Sequence, residues 1–364
     1  MKRLLLSALL CCSSFAAFGA SETPVAGNTA FACDLYGTLK GADGNLFLSP
    51  YSISTALAMT YGGARGETGT QMAKALHFVL PQEQLHPAFA ALEAGLAAVQ
   101  QKGKVKLAVA NSLWPQKGYA FLPDYLDLCK KHYQTVITPQ DYVKAAEQAR
   151  NSINTWVVDR TNKKITDLIP SGVLNALTRM VLVNAIYFKG DWASQFKAEA
   201  TKNQPFHVSA DKTVEAPLMY QKREFGYKED KDLQALEMPY AGNDLSMIVL
   251  LPRKTDGLAG LEAKLTPQNL AAWTGKMGRP KIEVFLPRFK MTSQFSLNDK
   301  LGALGMTDAF LDAADFSGMN GRRDLYISAV LHKAFVEVNE EGTEAAAATA
   351  VVMGLRGKHT RAQL

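Results

Sequence analysis

The sequence contains no Gly-x-Ser-x-Gly elbow, no His-Glu-x-x-His pair and no Gly-x-x-x-x-Gly-Lys-[Ser/Thr] loop. The nucleophile turn of common hydrolases, the helical zinc site of metalloproteases and the phosphate cradle of nucleotide hydrolases therefore have no carrier. Histidine is scarce: the six, at positions 77, 86, 132, 207, 332 and 359, are nowhere paired at metal-ligand spacing. No metal or other cofactor is expected. Adjacent carboxylates such as Glu340 and Glu341 stand in a polar stretch and read as solvated charge. A catalytic reading has little to stand on.

Long apolar runs are missing too, except at the start. Lys2 and Arg3 precede an almost wholly apolar or small stretch from Leu4 to Phe18, followed by Gly19, Ala20 and Ser21. A basic start, an apolar middle and a small-residue exit describe a secretory signal peptide over residues 1–20, which implies secretion to an extracellular or periplasmic space. Cys11 and Cys12 follow leucines rather than small residues, so lipidation is not expected. No other segment reaches about 18 uninterrupted apolar residues, so no membrane span is expected. Loss of Lys2 and Arg3 lowers the formal charge from +6 to +4. That charge is too small and dispersed for nucleic-acid binding. Of four cysteines, Cys33 and Cys129 remain, open to pairing in an oxidising compartment or to burial as free thiols.

What is present is a chain of 364 residues, 47% hydrophobic and 20% charged, without linker or repeat. Ser49-Pro50 is a helix start, with Ser as cap and Pro at the first helical position, and Gly62-Gly63 a helix stop. Thr70–Phe78, Pro123–His132 and Ala145–Arg160 carry helical spacing. Leu107–Trp114, Met180–Phe188, Met247–Leu251, Ile282–Leu286 and Phe335–Val338 read as strands; the run at 180–188 suits a strand buried on both faces. Helices first and many strands later, without regular alternation, predict an α+β fold in one domain, residues 21–364.

The stretch from Val336 to Met353 stands out. A strand-like run ends at Asn339-Glu340-Glu341-Gly342, and Thr343 to Met353 then holds small residues with no Gly or Pro. By intrinsic propensity alone this is an alanine-rich helix.

Three segments point elsewhere: Asn45-Leu-Phe-Leu-Ser-Pro-Tyr-Ser-Ile-Ser54, Asn184-Ala-Ile-Tyr-Phe-Lys-Gly-Asp-Trp192, and His332 through Ala350. With Met238-Pro239-Tyr240 and Ile248 to Pro252, they resemble the serpin family in order and separation, over residues 26 to 356. The resemblance implies a monomeric domain of three β-sheets with about eight or nine helices and a metastable central sheet. It also implies an exposed reactive-centre loop over about 340–357, offered as bait to a target serine protease. The protease forms an acyl-enzyme. The cut loop then inserts into the central sheet; serpin loop insertion is itself a standard example of stored strain released by a switch.

Family spacing from Glu340 places the scissile bond between Arg356 and Gly357, with Leu355, Lys358 and Arg361 as neighbouring alternatives. Arg356 suits the acidic pocket of a trypsin-like enzyme. The hinge comprises Glu340, Glu341, Gly342, Thr343, Glu344, Ala345, Ala346, Ala347 and Ala348. Small residues there are expected to enter a parallel sheet, with Gly342 as pivot and Glu344 turned to solvent. Ser52, Asn184 and His332 are expected to form the polar cluster that controls sheet opening. Phe188, Lys189, Gly190 and Trp192 are expected at the top of that sheet. The polar segment after Arg356 lacks the apolar strands that follow the loop in the family. The sequence therefore predicts a fold without its last C-terminal strands and a loop free to insert, over Thr343 to about Val352, without cleavage. A non-inhibitory or defective serpin-like protein is the alternative reading.

Overall fold

The computed structural model describes residues 23–356, together with the backbone of Leu6 and Ser7. The signal-peptide expectation thus falls almost wholly outside the described residues, as does the segment from Gly357 to Leu364. Thirteen strands are present among the described residues. In chain order they are β1 Leu6–Ser7, β2 Val105–Pro115, β3 Val136–Ile137, β4 Thr178–Asp191, β5 Lys202–Ser209, β6 Lys212–Glu224 and β7 Gly226–Glu229. After these come β8 Leu233–Pro239, β9 Ser246–Pro252, β10 Lys281–Pro287, β11 Phe289–Ser296, β12 Leu325–Val338 and β13 Gly342–Leu355. They form a six-stranded sheet β11-β12-β13-β4-β2-β3, a four-stranded sheet β1-β9-β8-β7 and a three-stranded sheet β10-β6-β5.

The α+β class and the three sheets agree with the sequence reading. The helix count is higher than expected: ten α-helices and two short 3₁₀ turns among the described residues. The helices that cover the six-stranded sheet are α1 Pro24–Leu39, α2 Pro50–Tyr61, α3 Gly66–Ala75, α4 Gln82–Gln101, α5 Pro123–Tyr133 and α6 Tyr142–Arg160. α2 begins as its sequence dictates: the Ser49 side chain accepts from the Ser52 amide, Pro50 occupies the first turn, and Gly62 caps the end. α6 starts three residues earlier than the periodicity shows. Asp141 caps it through the Lys144 amide at 3.1 Å, and Ala145 carries a kink (φ −142°, ψ 45°) that breaks the helical spacing.

The six-stranded sheet is covered on both faces. α2 and α4 pack directly on one, with α1, α3 and α5 against them, around a core that includes Phe31, Ile53, Leu57, Leu113 and Leu182. α6 packs on the other, over Tyr142, Ile153, Val157, Val181 and Val183. A strand in the middle of such a sheet must be apolar on both sides. That explains the near-continuous burial of β4 and, more tellingly, of β13. Thr343 to Met353 is a strand and not the helix that alanine content favours, because two flanking strands and two apolar layers outweigh a few tenths of a kcal/mol per residue of propensity. Both thiols are free: Cys129 is buried and Cys33 half-buried, with burial pushing them to about 12 and about 11.

Candidate functional site

The hinge turn is built at the foot of β12. Asn339 Oδ1 accepts from the amides of Glu341 (3.0 Å) and Gly342 (3.1 Å), and the Asn339 amide donates to the Gly342 carbonyl at 3.0 Å. Asn side chains make such local turns readily. Trp192, beyond the end of β4, holds the turn from outside. Its indole N–H donates to the Asn339 carbonyl at 2.9 Å and its backbone amide to the Glu341 carbonyl at 2.8 Å. Its ring stacks on Tyr240, with centroids 4.9 Å apart and planes 10° apart. Glu340 accepts from the Thr201 hydroxyl at 2.7 Å.

Gly342 serves differently from the expected pivot. Its φ lies outside the left-handed region; what it provides is room. A Cβ there would meet the Gly190 carbonyl oxygen at 2.1 Å and the Asp191 Cα at 2.7 Å. Gly190 itself is pressed against the Tyr240 ring, so β4 and β13 touch backbone to backbone at this end.

From Gly342 the chain runs up between β12 and β4 for the length of β13, roughly 45 Å at the rise of an extended strand. From Thr343 to Gly354 every residue is paired on both sides: Ala345 with Val336 and Phe188, Ala347 with Ala334 and Ile186, Val351 with Val330 and Leu182. The expected parallel insertion is corrected here. β13 is antiparallel to both neighbours, since it returns from β12 through a tight turn, and it is β12 and β4 that run parallel to each other. Ala346, Ala348, Ala350 and Val352 face the α6 layer, while Ala347, Val351 and Met353 face the α2 layer.

Glu344 also departs from expectation. Its side chain is not left to solvent; it is 17% exposed and tied down beneath the end of α6. Lys164 Nζ lies 2.9 Å from one oxygen, and the Tyr187 hydroxyl donates to the other at 2.8 Å. Burial pushes its pKa up, but the bonds from Lys164, Tyr187 and Asn162 outweigh it and hold the carboxyl below its ordinary value. Partial burial of a hinge charge is offset here by a cation and two hydrogen bonds.

The polar cluster lies at mid-sheet, and its centre is Thr349, which the sequence reading left without a role. His332 on β12 and Asn184 on β4 are its partners in register. His332 Nδ1 lies 2.8 Å from Thr349 Oγ1, and Ser52 Oγ on α2 lies 3.0 Å from the same atom. The Ser49 amide donates to His332 Nε2 at 3.0 Å, which leaves Nδ1 as the protonated nitrogen and donor to Thr349. Full burial lowers the His332 pKa to about 3, so the ring is neutral. Ser52 and His332 thus meet through Thr349. Asn184 does not join them. Its amide donates to Asn111 Oδ1 at 2.9 Å, Asn111 donates in turn to Glu93 (3.0 Å) and to the Tyr133 carbonyl (2.9 Å), and Asn184 Oδ1 is buried with no partner among the described residues.

At the far end Arg356 is half-buried. Its amide donates to the Asp324 carbonyl at 3.1 Å, and its guanidinium bonds the Ala314 carbonyl. The preceding Leu355 amide donates to the Leu177 carbonyl at 2.8 Å. The structure therefore separates the two ends of the proposed loop, with the hinge at one pole and Arg356 pinned at the other.

Comparison with known proteins fits this geometry. A family model described as Serpin (serine protease inhibitor) matches residues 26–364, a span that runs past the place where the sequence reading put a break. Leukocyte elastase inhibitor of Bos taurus is 45% identical over 337 residues, 90% of this chain and 88% of that protein. Among solved structures, emu ovalbumin superposes with a TM-score of 0.89 at 33% identity, over 94% of this chain and 93% of its own. A structure of cleaved Serpin 42Da superposes at 0.87 with 39% identity, over 92% and 91%. The chain belongs to the serpin family, whose members are protease inhibitors by family description and not enzymes.

Proposed function

We propose that this serpin inhibits a trypsin-like serine protease as a suicide substrate, with Arg356 as the bait residue. The protease serine attacks the Arg356 carbonyl, an ester forms, and Gly357 leaves as a new amino terminus. Residues 343–355 then move into the central sheet. The carrying observation is β13 itself: twelve of its residues, Thr343 to Gly354, are paired on both sides between strands that run parallel to each other. Because β12 and β4 are parallel and in register, they can also pair directly when β13 is withdrawn, so the same sheet admits a state with the loop outside.

In this reading Glu340 to Ala348 form the hinge, and Ser52, Asn184 and His332 control the opening. The apolar segment over residues 1–20 supports export of the chain. The elastase in the bovine relative's name belongs to that protein; a guanidinium at the bait position favours an acidic specificity pocket. Arg356→Ala is expected to abolish inhibition of trypsin while leaving β13 able to insert; undiminished inhibition would move the bait to a neighbouring residue.

A second reading, a relaxed serpin without inhibitory activity, is favoured by one observation. The chain is continuous through Arg356, yet the loop already lies in the sheet.

A further inference from the structure

β2 pairs with β4 along its whole length on one side, but on the other it meets β3 only at Ser112 and Leu113. From Val105 to Asn111 the outer edge has no strand partner among the described residues. Alternate backbone amides and carbonyls on that side face outward. They face a cleft of about 360 Å³ between α4 and α6. Leu96 and Leu107 supply apolar wall, and Trp156 and Arg160 stand on the α6 side.

Glu93 of α4 lines the same cleft and is only 8% exposed. One carboxyl oxygen accepts from Asn111 at 3.0 Å; no further hydrogen bond and no ion pair reaches Glu93 among the described residues. Arg160 does not serve it, because its guanidinium lies over the Trp156 ring, 5.7 Å from the centroid. A buried carboxyl without a cation is a costly arrangement that a ligand can relieve. Burial pushes Glu93 up to about 7, against the Asn111 bond that lowers it. The volume suits a small organic molecule rather than a water or an ion.

We propose that this cleft binds a small organic cation, a protonated primary amine on an apolar body, with the ammonium on Glu93 and the body against Leu96, Leu107 and Trp156. The site is separate from the bait loop, although Asn111 joins Glu93 to Asn184 beside the inserted strand. Phenylbutylamine and the neutral phenylbutanol of equal length are suitable probes, titrated calorimetrically into the full chain at about pH 8. The amine is expected to bind about tenfold or more tighter, the ratio a charge-assisted hydrogen bond supplies. Glu93→Gln is expected to bring the amine down to the affinity of the alcohol. Ala97→Trp, at an exposed position on the rim, is expected to block both probes with the melting temperature unchanged. Equal affinity of the two probes, an amine advantage that survives in E93Q, or no binding of either at millimolar concentration would overturn the proposal.

Discussion

Asn184 and His332 stand at the same level of the central sheet, on opposite sides of Thr349. Asn184 presents a carbonyl oxygen that is buried and unbonded among the described residues, and His332 presents a ring N–H whose acceptor is the Thr349 hydroxyl. With β13 in place Thr349 satisfies one of the two. With β13 withdrawn and β4 paired to β12, the same two groups come opposite each other. Under the proposed inhibitory reading, the partner of the Asn184 oxygen is found in that other state.

Thr349→Val keeps the shape of the side chain and removes its hydroxyl. His332 Nδ1 and Ser52 Oγ then lose their common partner inside the core. The inserted form is expected to lose about 1–3 kcal/mol, the usual cost of a buried unsatisfied polar group. Unfolding in guanidinium, read by tryptophan fluorescence, checks this; an unchanged midpoint would deny Thr349 its central place in the cluster.

His332 also sets a pH dependence. Its pKa is about 3 in the folded chain against an ordinary 6.5, so between these values the unfolded chain binds more protons. The contribution is complete above pH 6.5 and is lost as pH falls toward 3. Glu93 acts in the opposite sense: raised from 4.5 to about 7, its contribution is complete below 4.5 and is lost as pH rises through 7. The two are separated by substitution. His332→Gln is expected to flatten the fall in stability below pH 6.5 relative to the parent chain. Parallel stability curves for the two proteins would contradict the assignment.

Ala348 is completely buried against the α6 layer, opposite Lys333 and Ala185. Ala348→Glu would carry an unpaired charge into that layer, which costs several kcal/mol. Insertion is expected to stop short of this residue, and trypsin is then expected to cleave the loop and depart without forming a covalent complex. Gel electrophoresis separates cleaved chain from complex.

Much of the fold is legible in the sequence alone. Ser49-Pro50 announces the start of α2, and the β-branched run at 180–188 announces a strand buried on both faces. Ala345 to Ala348 are small enough to enter a packed sheet, and β13 holds them in one. Other features depend on distant partners. Gly342 is set by the Gly190 carbonyl, and Glu344 by Lys164 and Tyr187, none of which lies near in sequence. Asn111 is 73 residues from Asn184, and Glu93 lies 18 residues further back, so the network behind Asn184 has no local signal. Thr349 was open to inference: a hydroxyl in the middle of an otherwise apolar run needs a buried partner. So was β11, whose exposure alternates residue by residue as Phe289, Met291 and Phe295 imply.

The reaction with trypsin decides whether Arg356 is the bait of an inhibitory loop. The purified chain is mixed with a small molar excess of the protease and resolved under denaturing conditions, and the released fragment is sequenced. An SDS-stable complex and a new amino terminus at Gly357 are the expected result. Trypsin that stays fully active beside an intact chain, or a cut elsewhere with no covalent complex, would contradict it.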